Sequence, residues 1–363
     1  MQGITFSPSF SHTEIGMATP PHGPRSALVR LACLLLVGTA SPSLGALWHP
    51  DGDGLAADGA GAEWRPAPSP RAHLLARHPL LSAPTSCPRV LPIFLAVPVR
   101  SMAHDPSAFL QGLAFHDHVL FEASGLYGKS SLRIIDAHNG SVLRQNHLRG
   151  AEPRGSLPGA LLSRPARRFF AEGVTHWRGK LLMLTWREGS LLEYDASTLA
   201  FVREHRNFAD QFERREGWGI TNDGSWLYVS DGSSRLYVVS PDTLRVVETI
   251  RVVGESPPSA MRWPYRRRSG GGGVRAITLL NELEMLPNGV LLFNVWLSDY
   301  IGVWDARKRC LLGWINGTGF DDAFRSRRRM GACLNGIAFD ETTGELLISG
   351  KLWPVMHAIR LEI

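Results

Sequence analysis

Cysteine is scarce in this chain of 363 residues: it has four, none in a CxxC pair, so no dense disulfide framework and no cysteine metal site organise it. An HExxH pair, a GxSxG elbow and any Cys/His cluster are missing too, which removes the sequence marks of a zinc hydrolase and of an α/β-hydrolase. Long apolar runs are also lacking; the strongest, residues 31–40, is short for a spanning helix. Acidic residues are absent from three arginine stretches, 164–168, 262–275 and 325–329, which hold twelve arginines between them. The formal net charge of +6 therefore belongs to a few Pro-, Gly- and Ser-bearing segments. These read as solvated loops, and nucleic acid is not an expected partner.

What is abundant is turn-forming and aromatic: Gly 37, Pro 24 and Trp 11, with 44% hydrophobic and 20% charged residues. Such a composition excludes wholesale disorder and predicts many short elements rather than long helices. Residues 1–45 combine a basic flank at Arg25–Arg30, the apolar run and small residues near Ala40 and Gly45. They read as a signal peptide, or as a signal anchor if uncleaved, the one route to the membrane. Residues 46–88, rich in Ala, Gly, Pro and His, read as a flexible linker, and 89–363 as the folded domain. Export to the secretory pathway (secreted, ER or Golgi lumen, or vacuole) would make the sequons at Asn139 and Asn316 glycosylation sites. It would also leave Cys87, Cys310 and Cys333 in an oxidising compartment, enough for one disulfide.

One grammar recurs at residues 111, 172, 218, 281 and 335. A polar residue or Trp is followed by a small or acidic one and a short strand. A turn such as Arg178-Gly179 or Asn288-Gly289 comes next, then a second apolar strand. Further strands follow in most units, among them 131–136, 191–195, 235–239 and 301–305. Four short strands per repeat describe β-propeller blades, here five. The last unit supplies only a third strand, so residues 90–97 are expected to complete it and close the ring.

In an antiparallel hairpin the start of the first strand and the end of the second share one end. Gln111, Glu172, Trp218, Asn281 and Asn335 from strand starts should therefore meet Ser124, Trp186, Asp231, Trp296 and Lys351 from strand ends at one mouth of the channel. That set is too polar and aromatic for a core.

The runs Phe109-Leu-Gln111-Gly, Phe170-Ala-Glu172-Gly, Gly217-Trp218-Gly, Leu280-Asn281-Glu-Leu-Glu284, Leu334-Asn335-Gly and Gly350-Lys351-Leu-Trp-Pro354 resemble the plant and bacterial type of glutaminyl-peptide cyclotransferase, in order, from about His104 to the C-terminus. The resemblance implies a five-bladed propeller that converts N-terminal glutamine of peptides and proteins to pyroglutamate, requires no cofactor and is expected to act as a monomer. It makes Glu172 the proton shuttle, among tryptophans whose desolvation would raise its pKa. Trp186, Trp218 and Trp296 are expected to wall the pocket, Gln111, Asn281 and Lys351 to hydrogen-bond the substrate, and Phe109 and Phe170 to pack beneath. Leu110 stands where the family usually has Thr. Glu282 and Glu284 alternate with apolar residues, leaving paired charge or an axial structural divalent cation as a role for one of them. Two other readings remain open: a non-catalytic peptide-binding propeller, and a Ca²⁺-dependent propeller hydrolase such as a lactonase with Asn281, Glu282 and Asn335 as ligands.

Overall fold

The computed structural model describes residues 78–82, 86–148, 168–256, 273–320 and 331–362. The signal segment, most of the linker and nearly all of the arginine-rich stretches lie outside the described residues. The chain is all-β, with almost no helix.

The first strand, β1 (Ile93–Ala103), stands apart in sequence from three four-stranded antiparallel sheets. One comprises β2 (Leu110–His116), β3 (Val119–Ser124), β4 (Ser131–Ile135) and β5 (Val142–Asn146). The next comprises β6 (Ala171–Trp177), β7 (Lys180–Thr185), β8 (Leu191–Asp195) and β9 (Phe201–His205). The third comprises β10 (Ile220–Asn222), β11 (Leu227–Ser230), β12 (Arg235–Val239) and β13 (Val246–Arg251). A short ladder of β14 (Val253–Gly254) and β15 (Arg275–Ala276) precedes β16 (Leu280–Met285), β17 (Val290–Val295), β18 (Tyr300–Asp305) and β19 (Cys310–Asn316). The last strands are β20 (Leu334–Asp340), β21 (Glu345–Gly350) and β22 (Val355–Glu362).

Local chemistry explains the hairpins. Arg178 and Gly179 both have positive φ, 48° and 78°, between the paired Trp177 and Lys180, the two-residue geometry that matches strand twist. Asp117 and His118 do the same between His116 and Val119. Burial then falls from inside to outside within a sheet: β3 is buried along nearly its whole length and β5 is exposed along most of it. The strand β19 is outermost in its set yet buried, because β1 pairs with it in parallel from Ile93 opposite Trp314 to Leu95 opposite Asn316.

The strand expected at 90–97 runs instead from 93 to 103. It pairs antiparallel with β22 from Leu95 opposite Glu362 to Ala103 opposite Val355, completing the last set as anticipated. Its second, parallel edge was not anticipated, and it merges β16–β19 with β20–β22 into one eight-stranded sheet.

Apolar clusters sit between neighbouring sheets. Phe121 and Leu132 meet Val174 and Met183; Leu184 and Leu191 meet Ile220 and Val229; Leu236 and Val238 meet Leu283 and Phe293; Leu292 and Ile301 meet Ile337 and Leu346. Leu110 and Leu120 in turn meet Ala338 and Met356, so the earliest sheet packs on the latest.

The linker boundary at 88 falls too late. Leu80 is buried in the cluster beneath Phe339, Asn288 Nδ2 donates to the Leu80 carbonyl at 2.9 Å, and His78 packs edge-on against Phe339 at 5.3 Å. Composition alone hid this, since the anchoring residues, His78, Leu80 and Leu81, are few among many small ones. Cys87 is disulfide-bonded to Cys310, while Cys333 is buried elsewhere.

Candidate active site

Four of the five strand starts share an irregularity. Antiparallel register shifts between Leu110 and Gly112, Ala171 and Val174, Leu280 and Leu283, and Leu334 and Ile337. Each shift falls on the polar residue singled out by the sequence grammar: Gln111, Glu172, Asn281 or Asn335. Such bulges re-aim a side chain that an unbroken ladder would commit to the pleat. The small residue that follows allows neighbouring first strands to crowd together: a Cβ on Gly219 would lie 2.0 Å from the Asn281 carbonyl oxygen, and one on Gly173 would lie 2.8 Å from the Trp218 carbonyl oxygen.

These bulges bring Gln111, Glu172 and Lys351 into one hydrogen-bonded row. Lys351 Nζ donates to Gln111 Oε1 at 2.6 Å, and Gln111 Nε2 donates to Glu172 Oε1 at 3.1 Å. With the ammonium on one side and the carboxyl on the other, only this orientation of the Gln111 amide satisfies both neighbours. All three side chains are buried. Burial pushes the Glu172 carboxyl well above the usual carboxylate range; the Lys351 ammonium opposes that shift, while Glu216 and Glu188 add to it. The same burial pushes Lys351 below its ordinary value, against the pull of Glu172.

Aromatic contacts begin at Lys351. Lys351 Nζ lies 4.9 Å from the centre of the Phe109 ring, a cation–π arrangement. Phe109 meets Phe170 edge-on at 6.1 Å, Phe170 meets Trp186 at 5.3 Å, and Trp218 meets Trp296 at 5.8 Å with planes 89° apart. Asn281 is buried, and its Oδ1 has no hydrogen-bond partner among the described residues.

Other residues assigned to this mouth are spent on the scaffold. Asp231 accepts from the Arg214 and Ser233 backbone N–H groups and from the Tyr237 hydroxyl. Ser124 Oγ accepts from the Phe109 N–H at 2.9 Å, and Asn335 Nδ2 donates to the Leu110 carbonyl at 3.1 Å. Glu282 accepts from the Leu113 and Ile337 N–H groups at 3.4 and 2.9 Å, and Glu284 from the Phe339 N–H at 2.7 Å. Both acids therefore stitch β16 to other first strands, where alternation had suggested a channel role for one. Among the described residues no cluster of three or more His, Cys, Asp or Glu could hold a metal ion.

Glu216, Glu188 and Tyr127 were not singled out from the sequence. Glu216 Oε2 accepts from both Trp186 Nε1 and Trp218 Nε1 at 2.9 Å. Glu188 accepts from the Tyr127 hydroxyl at 2.8 Å and from the Phe170 N–H at 3.3 Å. Their signal was only proximity: Glu216 stands two residues before Trp218 and Glu188 two after Trp186. A cleft of about 520 Å³ opens at the opposite ends of the first strands, lined by His116, His176, Asn222, Glu284 and Asp340 among others. Its lining residues on β2 and β6 lie only a few positions along the same strands from Gln111 and Glu172, at the other end.

A propeller-like all-β scaffold in which a buried carboxyl bonds an amide, and that amide a buried ammonium, defines a class with an ionisable site built into its inner strands. The sequence profile of the glutamine cyclotransferase family matches residues 78–261 and 271–361, and the chain belongs to that family. It is 33% identical over 266 residues to a glutaminyl-peptide cyclotransferase of Arabidopsis thaliana, covering 73% of this chain and 70% of that protein. The crystal structure of Myxococcus xanthus glutaminyl cyclase superposes with a TM-score of 0.58 at 26% identity, covering 74% of this chain and 97% of that one.

Proposed function

We propose that this enzyme cyclises the N-terminal glutamine of peptides and proteins to pyroglutamate with release of ammonia, at the Gln111–Glu172–Lys351 row. The observation that carries the reading is a buried Glu172 bonded to Gln111, in a chain of the glutamine cyclotransferase family.

In the reaction the substrate α-nitrogen attacks its own γ-carboxamide carbon. A C–N bond forms, a proton leaves the attacking nitrogen, and the carboxamide nitrogen departs as ammonia once protonated. Nucleophile and electrophile are already tethered, so the protein needs to supply conformation and a proton carrier. Glu172 fills the second role: its carboxylate takes the proton from the amine and returns it to the leaving nitrogen, and burial raises its proton affinity. Trp186, Trp218 and Trp296 hold the glutamine side chain folded. Lys351 and Gln111 are placed to donate to the developing oxyanion. Asn281 Oδ1, a buried acceptor left unsatisfied at a cost of about 1–3 kcal/mol, suits a substrate N–H.

The finer architecture belongs to the same reading. A ring of five four-stranded blades, the last completed by β1, is supported by the strand sets and by the clusters that pair each sheet with the next and the last with the first. Passage through the secretory pathway is supported by the Cys87–Cys310 disulfide, which persists in oxidising compartments. Asn139 is exposed and suits glycosylation; Asn316 is half-buried at the end of β19.

The test is ammonia release from a Gln-initiated peptide by wild type, Glu172→Gln and EDTA-treated protein. Wild type is expected to be active and indifferent to EDTA, and Glu172→Gln to lose about 10²–10⁴ in kcat with an unchanged circular dichroism spectrum. A folded wild type that releases no ammonia would end the reading.

A further inference from the structure

Glu216 is a half-buried carboxylate with an unusual pair of partners. Its Oε2 accepts from Trp186 and from Trp218, both at 2.9 Å, and these indoles come from different sheets: Trp186 follows β7 and Trp218 precedes β10. Two donors on one oxygen fix both their separation and the angle at which the rings meet. Beyond them the contacts continue, Trp186 edge-on to Phe170 at 5.3 Å and Trp218 edge-on to Trp296 at 5.8 Å. The aromatic wall is thus one connected series with Glu216 at its hinge.

Resting on the cyclase reading of this site, we propose that Glu216 is a positioning residue for cyclisation, clamping the two tryptophan walls at a fixed angle and adding a negative charge to the pocket that holds Glu172. It does not meet the reacting atoms; it acts through the indoles and through the field. The hydrogen bonds are charge-assisted, hence stronger and shorter than those to a neutral acceptor. The groups acting on Glu172 are Lys351, which favours its ionised form, and Glu216 and Glu188, which oppose it; Gln111 bonds it as a neutral amide. Arg187, exposed, lies 4.0 Å from both Glu216 Oε1 and the centre of the Trp186 ring, so the outer edge of the clamp carries a cation while its inner oxygen serves the indoles.

Two substitutions separate the clamp from the charge. Glu216→Gln keeps an oxygen that can accept from the indoles and removes the charge; Glu216→Ala removes both. In kcat/KM profiles against pH, the limb governed by Glu172 is expected to move to lower pH in both variants, because a neighbouring negative charge has gone. The Michaelis constant should change by about twofold or less in Glu216→Gln and rise about tenfold in Glu216→Ala, where the walls are released. Independently of activity, the indole ¹H–¹⁵N resonances of Trp186 and Trp218, assigned through Trp→Phe variants, should both shift in Glu216→Ala. Thermal unfolding of each variant shows that the fold is retained. Active wild type with indole resonances unmoved in Glu216→Ala, or with the pH limb unmoved in both variants, would overturn this proposal alone; a wild type that releases no ammonia would end the functional reading and this proposal with it.

Discussion

Glu172 and Glu122 are both buried carboxyl groups on the inner strands of neighbouring sheets, yet their neighbours give them different lives. Glu122 is held by the His104 imidazole at 3.0 Å and the Arg133 guanidinium at 3.2 Å, the arrangement of a structural polar network. Glu172 bonds a neutral amide, and burial raises its carboxyl well above the usual carboxylate range. From the sequence both are a Glu beside small residues in a short strand, and only the repeat grammar and family resemblance separated them. Trp186, Trp218 and Trp296 were singled out from the sequence; Glu216, which accepts from two of them, was not, because the decisive fact is which oxygen meets which indole. Gly232 carries a related constraint. It sits at φ 77°, and a Cβ there would lie 2.7 Å from the Trp218 ring, in a conformation side chains disfavour. Gly232→Ala should displace Trp218 and lower kcat/KM on a Gln-initiated peptide by about 10²-fold, measured by steady-state ammonia release, while Glu172 stays in place.

Among the elements, the strands read well and their connections less so. Alternating apolar residues and tight turns located β2 to β13 and β16 to β22 within a few residues, since hairpins obey local rules. The bulges at the first-strand starts were invisible, because a bulge is set by the partner strand as much as by its own residues. Glu282 and Glu284 show the consequence: side chains on β16 reach the N–H groups of Leu113, Ile337 and Phe339 across the inner face. Burial holds Glu284 up to about 8 and Glu282 well above the usual range. A folded-state value raised in this way contributes stability that is complete below the ordinary carboxylate range, declines as the pH climbs, and is lost above about 8. The melting temperature should accordingly fall between pH 5 and pH 9. Glu284→Gln, which keeps an acceptor for the Phe339 N–H, should fall less over the same interval in differential scanning calorimetry.

At the largest scale, the repeated antiparallel strand sets and the pairing of β1 with β22 were readable because each set buries its faces against its neighbours. The parallel edge between β1 and β19 was not readable: nothing in residues 93–95 or 314–316 names the other as partner. The disulfide between Cys87 and Cys310 spans 223 residues and fastens the segment before β1 to the start of β19, an arrangement that three available cysteines left undecided. A covalent closure over so long a loop stabilises by about 2–5 kcal/mol. Reduction, or paired Cys87→Ser and Cys310→Ser substitution, should lower the midpoint of urea unfolding while leaving cyclase activity near that of wild type at low temperature, since neither cysteine approaches the Glu172 row.

The placement of β1 also sets an order of events at the ribosome. This strand is the first of the sheets to be synthesised, yet both of its partners are late: β19 is made after some two hundred further residues, and β22 comes last of all. Until then its edges have nothing to bond, and the growing chain carries an open strand that invites pairing with other polypeptides. Closure is a long-range step and a slow one. A message truncated just before residue 355 would encode every residue of the Gln111–Glu172–Lys351 row and still leave β1 bonded on one side only. The eight-residue β22 is what covers the second edge of β1.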